Sequence, residues 1–406
     1  MPNRSNYAII SILIATGVFD VAILTIFMSL ILNGNGGAFV VFYHAAASVV
    51  RGRSPYAMAS GQLLNAVFPY APWVAWLIVP FTTMSLPMAY VVWLAVSVIG
   101  AISAAGWWGR QLRWKPWWLP ILGLMGWGVL WRCLLTGQMD GILLVIETLC
   151  LGLALRGKMG WAGALAVMAA LYKPQIFWLF PVLLLWFAFQ EGKSRRFIVG
   201  AAFGLLALLL PPEIIHPGIT ADWLRTLPNF SSSLASIQPD LAGLPGLLRL
   251  APSTWGLRPS LSNPATIFIV LIGLGLIGAA SWGWRNHPES APDRSRRLLW
   301  QTLLPMGIWF LVSPYAHTND ALTLLPLALL VIAELWRNGH KQQAVVLFAV
   351  LSVVPEIMVL FNPSYVLGYL SATPIAIAAL VIVAWMHRPT FSSQAHDETA
   401  KPPVPR

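Results

Sequence analysis

The chain has 406 residues, of which 58% are hydrophobic and only 10% are charged. Soluble domains carry roughly 25% charged residues, so this composition excludes an ordinary soluble protein and indicates a polytopic membrane protein. The formal net charge is +11, but the basic residues lie in short loops between apolar runs, a pattern that favours membrane topology and anionic headgroups over nucleic acid.

Apolar runs near the length that crosses a hydrocarbon core recur along the chain. They predict an all-α polytopic fold with about twelve transmembrane helices, several of which end at Pro or Gly. The predicted spans cover residues 7–32, 86–108, 116–135, 140–156, 160–172, 175–190, 197–212, 265–285, 299–313, 320–337, 342–361 and 366–387.

The distribution of basic residues predicts the orientation of these spans. With both termini in the cytoplasm, most Lys and Arg residues fall in the inner loops, as the positive-inside rule requires. The outer loops then hold Arg51, Arg53, Lys173, Arg225, Arg249 and Arg258. We therefore expect a working face on the outer side of the membrane, where the two long loops, 33–85 and 213–263, also lie.

The first outer loop contains two further apolar segments. Phe39–Val50 has helical spacing suited to an amphipathic helix at the interface. Residues 71–84 are predicted to dip into or lie along the outer face, because a further crossing there would reverse the orientation of every later loop. Residues 1–388 are predicted to form one integral membrane domain, and the polar, Pro-rich segment 389–406 to form a disordered cytoplasmic tail.

Several polar residues at the ends of apolar spans need an explanation, because ionisable side chains are costly in lipid and usually face a cavity. On the predicted topology, these residues converge on the outer half of the membrane. The spans beside Lys173 would cover only about 20–24 Å of a core of roughly 30 Å, so their outer ends are expected to line a cavity open to lipid. The converging residues are Gln138, Asp140, Lys173, His317 and Asp320.

Four segments together resemble a known family. They are residues 37–47 (GAFVVFYHAAA) with 51–56 (RGRSPY), residues 137–138 (GQ), residues 170–174 (ALYKP) and residues 313–320 (SPYAHTND). Their order and nature resemble family 87 of the polyprenyl-phosphate-sugar-dependent glycosyltransferases, which belongs to the C superfamily of membrane glycosyltransferases.

The resemblance implies an inverting transfer of a hexose or pentose, with mannose favoured, from a polyprenyl-phosphate donor to an acceptor hydroxyl on the outer face. It implies that no nucleotide or other cofactor need be bound, and that the acceptor is a glycolipid or cell-envelope glycan. No metal is expected, because the outer face lacks a carboxylate cluster suited to a hard divalent cation. The expected protein is a monomer of the bacterial plasma membrane whose partners are membrane lipids and not nucleic acid. A base must reach the hydroxyl, and cations must bind the departing phosphate.

The resemblance also suggests individual roles. Ala38 occupies the position of the family's Asp base, and His317 is expected in the active site. The donor phosphate is expected to contact Lys173, Arg51, Arg53 and Arg225. Substrate contacts are expected from Tyr43, His44, Gln138, Asp140, Tyr315, Asn319 and Asp320. Ordinary alternatives stay open: Lys173 as an interface anchor, His317, Asp140 and Asp320 as helix caps, and the arginines as surface cations.

Ala38 leaves three interpretations open, because a methyl group cannot accept a proton. The chain is an engineered variant that lost its base, a natural homologue without catalysis, or a homologue whose base moved to His44, Asp140 or Asp320. We favour the first, since the surrounding motif is intact. Two rival functions remain: a transporter or flippase of lipid-linked sugars, and a non-catalytic assembly subunit. No pair of related halves, common in transporters, is evident.

Overall fold

The computed structural model describes residues 37–56, 68–232, 243–246, 248, 262–282, 291–361 and 365–388. The regular structure of these residues is helical throughout. The α-helices are α1 (Gly37–Val50), α2 (Pro72–Ile78), α3 (Leu86–Gln111), α4 (Leu119–Met125), α5 (Gly128–Thr136), α6 (Asp140–Leu155), α7 (Met159–Tyr172), α8 (Pro174–Phe177), α9 (Leu179–Gln190), α10 (Ser194–Ile215), α11 (Ile219–Ser232), α12 (Ser262–Trp282), α13 (Ala291–Val312), α14 (Leu325–Arg337), α15 (Lys341–Phe361) and α16 (Tyr365–Met386). Two 3₁₀ helices lie at Val79–Thr83 and Thr318–Leu324.

The all-helical class is confirmed over these residues, but a set of twelve spans is not. Within the described part of the chain, 4 helices are long and apolar enough to cross a membrane. They are Leu86–Gln111, Ser194–Ile215, Pro264–Trp282 and Thr318–Arg337. The predicted first span, 7–32, and the predicted tail, 389–406, lie outside the described residues.

The predicted continuous span over 116–135 is wrong as a single helix. The segment forms α4 and α5, with a break at Gly126 and Trp127. The backbone of Trp127 is extended, at φ −99° and ψ 108°. The Trp131 indole Nε1 donates to the Met125 carbonyl at 2.9 Å, which satisfies an acceptor that a continuous helix would have used. The break was not evident from the sequence, because the apolar composition continues unchanged across these two residues.

Both apolar segments of the first outer loop form helices, as predicted. Helix α1 buries Phe39 and Phe42, and α2 passes into the 3₁₀ turn Val79–Thr83 before the chain becomes extended at Met84. The ring of Phe39 stacks on Trp93 of α3, with centroids 5.6 Å apart. Aromatic pairs of this kind add to simple burial, so the loop is packed firmly on the helix that follows it.

Two glycines allow the start of α1 to approach the end of α5. Gly137 ends α5 in the left-handed region at φ +64°, and a Cβ there would lie 2.7 Å from the Phe39 Cβ. Gly37 has φ +54°, and a Cβ there would lie 2.6 Å from the Thr136 carbonyl oxygen. Only glycine fits both the backbone angle and the space at either position. The loop that carries residue 38 is therefore in direct contact with the turn that precedes Asp140.

We expect Gly137→Ala to destabilise the protein more than Gly192→Ala. Both glycines are left-handed, at φ +64° and +65°, so each alanine incurs a similar backbone strain of about 1–2 kcal/mol. A Cβ at Gly192 meets nothing within 4 Å, whereas one at Gly137 overlaps Phe39 and Tyr90. Thermal unfolding in detergent should show the larger loss for Gly137→Ala. Equal losses would mean that the approach of α1 does not require this glycine.

Candidate functional site

The centre of the candidate site is a buried lysine held between two carboxylates. Lys173 lies in the short turn between α7 and α8, and its ammonium Nζ is 2.7 Å from Oδ1 of Asp140, the first residue of α6. It also forms an ion pair with Asp320 Oδ1, from the 3₁₀ turn before α14. All three side chains are almost inaccessible, at 3% or less. Three chain turns therefore meet at one buried set of charges.

Asn319 and His317 complete the hydrogen bonding of these carboxylates. The Asn319 amide Nδ2 donates to Asp140 Oδ2 at 2.6 Å and approaches Asp320 Oδ1 at 3.2 Å. The backbone N–H of His317 donates to Asp320 Oδ2 at 2.8 Å, and the His317 side chain caps the same turn. Asp320 thus takes part in capping its own turn, as one interpretation of the sequence expected, and it also contacts Lys173. Its contact with substrate stays a prediction. We call Asp140, Lys173, Asn319 and Asp320 the buried charged cluster.

The formal charge of this cluster is negative when its members are ionised, because one ammonium faces two carboxylates. Removing charged groups from water costs several kcal/mol per ion unless partners replace the solvent. Every carboxylate oxygen of Asp140 and Asp320 has a donor within hydrogen-bond distance or ion-pair contact. The arrangement can therefore hold two oriented carboxylates in a dry setting, which is the setting in which charge stabilisation and proton transfer are effective.

An aromatic layer covers the cluster and was not predicted from the sequence. Tyr172 is buried and stacks on Tyr70, with ring centroids 5.2 Å apart and planes 12° apart. The Tyr70 hydroxyl approaches Gln138 Oε1 at 3.4 Å, and the Tyr56 hydroxyl donates to the Tyr70 carbonyl at 2.7 Å. The Tyr172 hydroxyl is buried without a hydrogen-bond partner among the described residues. Tyr172 could have been expected at the site from the sequence, because it directly precedes Lys173. The sequence contained no comparable indication for Tyr70.

The predicted cations of the two outer loops lie in a separate, exposed layer. Arg51, Arg53 and Arg225 are all exposed. The Ser54 hydroxyl donates to Asp222 Oδ2 at 3.2 Å, and Arg225 Nη1 donates to Asp222 Oδ1 at 3.3 Å. These bonds join the first outer loop to helix α11 of the second. The three arginines therefore share a face of the protein but are not part of the buried charged cluster.

The remaining predicted residues surround helix α1 and the 313–320 segment. Ala38 is half-buried between Gly37 and Phe39, the two residues that contact the Thr136–Gly137 turn. The Tyr43 hydroxyl donates to the Met84 carbonyl at 2.7 Å, so its polar atom is already used. Partial burial, and then the nearby positive charge of Arg51, lower the pKa of His44 below its usual value.

The structure thus brings Gln138, Asp140, Lys173, His317, Asn319 and Asp320 together, and places Ala38 at the adjoining turn. Tyr315 is half-buried in the same 313–320 segment. By contrast, the structure gives Tyr43 a backbone partner in the first outer loop and leaves the three arginines at the surface. The roles assigned to these residues in substrate binding stay predictions.

A family model described as "Glycosyltransferase family 87" matches residues 68–314, more than half of the chain. The matched region contains Gln138, Asp140 and Lys173, and ends at Pro314; Ala38 precedes it, and Asp320 follows it. No curated protein and no solved structure gives a significant match to the chain.

We expect Lys173→Met to destabilise the protein strongly, since it leaves two buried carboxylates without their cation. Breaking a buried pair in this way costs about 3–5 kcal/mol. Lys193→Met is the matched control: its Nζ pairs with Glu191 at 3.2 Å, but its side chain is 32% exposed, and Arg294 and Arg297 also bind Glu191. Its loss should stay below about 1 kcal/mol.

Thermal unfolding and the yield of monodisperse protein would measure both variants. Adding Asp140→Asn and Asp320→Asn to Lys173→Met should recover part of the loss, because the uncompensated charges disappear. If Lys173→Met proves as stable as Lys193→Met, the buried charged cluster does not stabilise the fold.

Proposed function

The chain belongs to glycosyltransferase family 87, a family of membrane glycosyltransferases, and from this premise we propose that it acts on a polyprenyl-phosphate-linked sugar. In the proposed reaction the sugar, with mannose favoured, moves to an acceptor hydroxyl at the outer face of a bacterial plasma membrane. The observation that supports the proposal most is the meeting of the Gly137, Lys173 and Asp320 turns beside the loop that carries residue 38.

The proposed transfer requires an acceptor hydroxyl, cations that bind the departing phosphate, and a base. The acceptor oxygen attacks the anomeric carbon as the bond from that carbon to the phosphate oxygen breaks, so the configuration inverts. The polyprenyl phosphate leaves with the electron pair, and cations stabilise the charge that develops on it. A base takes the hydroxyl proton. The proposed substrates are the donor lipid and a glycolipid or cell-envelope glycan, with no separate cofactor.

We assign the donor phosphate to the exposed arginines Arg51, Arg53 and Arg225, because guanidinium groups bind phosphate through several N–H donors. Lys173 was the other predicted phosphate ligand. Its ammonium is buried and already bound by Asp140 and Asp320, so contact with a phosphate would require the cluster to open. We therefore propose that Lys173 positions the two carboxylates and the turns that carry them.

The missing group in this chain is the base at position 38. Ala38 has no atom that accepts a proton, so we propose that the chain binds the donor without turning it over efficiently. His44 is a weakened base, because burial and Arg51 lower its pKa. Asp140 and Asp320 are engaged with Lys173 and Asn319. These contacts favour loss of the base over its transfer to another residue.

Ala38→Asp is expected to restore sugar transfer. A positioned general base contributes roughly 10²–10⁴-fold to the rate, so transfer should rise by at least about 100-fold over the parent chain. Ala38→Asn is the matched control, since it has nearly the same shape but no basic oxygen of comparable strength. The measurement is the transfer of labelled sugar from a polyprenyl-phosphate donor by purified protein. A correctly folded Ala38→Asp protein with the activity of Ala38→Asn would contradict the assignment.

A transporter of lipid-linked sugars is the rival function, because it too would need a buried polar site and basic contacts. Proteoliposomes that contain labelled polyprenyl-phosphate sugar separate the two. Transfer to an acceptor by the Ala38→Asp protein supports the glycosyltransferase; movement of the donor across the bilayer without transfer supports the transporter. If the protein neither transfers the sugar nor moves the donor across the bilayer, a non-catalytic assembly subunit is indicated.

A further inference from the structure

A cavity lies away from the buried charged cluster, where two long helices end. Its volume is about 550 Å³, within the range of about 300–1,000 Å³ typical of small-molecule sites. It is formed by the segment after α3 together with the ends of α14 and the start of α15. Apolar walls come mainly from Leu329, Ile332, Ala333, Val345 and Phe348.

This cavity lies where two candidate membrane spans end. Leu86–Gln111 and Thr318–Arg337 are both long and apolar enough to span a membrane. Their ends meet here, since Arg337 Nη2 donates to the Leu112 carbonyl. Trp117 and Trp118, in the same segment, are each 42% exposed. Tryptophan is enriched where membrane meets water, so the cavity opens at headgroup level.

Two cations of the cavity lining have no side-chain partner among the residues that the structure describes. Arg113 and Lys115 are exposed, and neither forms an ion pair or side-chain hydrogen bond with any described residue. Arg337, which also lines the cavity, is different: it binds the Leu112 carbonyl and Glu334. Trp114 lies between these two cations in the chain, and its indole Nε1 is buried without a hydrogen-bond partner in the described part of the protein. The cavity therefore combines an apolar interior with unused donors and positive charge.

We propose that this cavity binds one anionic phospholipid of the surrounding bilayer. An acyl chain would occupy the apolar interior, and the phosphate would lie against Arg113 and Lys115. The distribution of basic residues assigns this surface to the cytoplasmic leaflet, opposite the proposed transfer site. The charge complementarity favours an anionic phospholipid over a zwitterionic one, and the position at span ends favours a bilayer lipid over a soluble ligand.

The test measures binding of phosphatidylglycerol and phosphatidylcholine to the purified full chain by native mass spectrometry, with binding curves in detergent. The parent protein should bind phosphatidylglycerol and discriminate against phosphatidylcholine. Arg113→Gln with Lys115→Gln should weaken the apparent Kd for phosphatidylglycerol roughly 25-fold, since each basic residue at an anionic surface contributes about fivefold. The pair of substitutions is at exposed positions and should leave folding unchanged.

Two further variants separate a specific site from general attraction. Arg195→Gln with Arg196→Gln removes two exposed cations away from the cavity and should change the Kd by less than about threefold. Ala333→Phe fills the apolar wall and should abolish retention of phosphatidylglycerol while elution on size exclusion is unchanged. The proposal would be overturned if the two double substitutions weakened binding equally, or if both phospholipids bound equally. It would also be overturned if the cavity bound polyprenyl phosphate in place of phosphatidylglycerol.

Discussion

The ion pairs of Lys173 are the interaction on which the candidate site depends. One ammonium binds two carboxylates that lie 33 and 147 residues away in the chain. In a low-dielectric interior none of these charges is tolerable alone, so each enforces the position of the other two. Asn319 and the His317 backbone satisfy the oxygens that Lys173 does not reach. The position of the 3₁₀ turn before α14 relative to α6 follows from this set of bonds.

A second constraint is the close approach of backbone at Gly37 and Gly137. It places helix α1, and with it residue 38, against the turn that leads into Asp140. Tyr70 and Tyr172 then close the region between the first outer loop and Lys173 by stacking. The buried charges and the loop expected to carry the base are thus parts of one packed unit. In such a unit, the alanine that we propose to have replaced a base at position 38 is compatible with the fold.

The helical class and the meeting of the polar turns were predictable from the sequence for a physical reason. Ionisable residues at the ends of apolar runs have few tolerable positions, so Asp140, Lys173 and Asp320 were expected to converge. The motifs around Lys173 also indicated the family that the family model then matched. What the sequence could not supply were contacts between distant residues: the Asn319–Asp140 bond, the place of Tyr70, and the use of Trp131 to stabilise the break at Trp127. Hydropathy registers none of these, because they depend on tertiary packing.

The proposed arrangement of the site would be tested best by a structure of the protein with a polyprenyl-phosphate sugar bound. We expect the sugar to lie beside Asp140, Lys173 and Asp320, with residue 38 facing its acceptor side and the phosphate near Arg51 and Arg53. A donor lipid bound at the opposite end of the protein, with the buried charged cluster remote from the sugar, would contradict it.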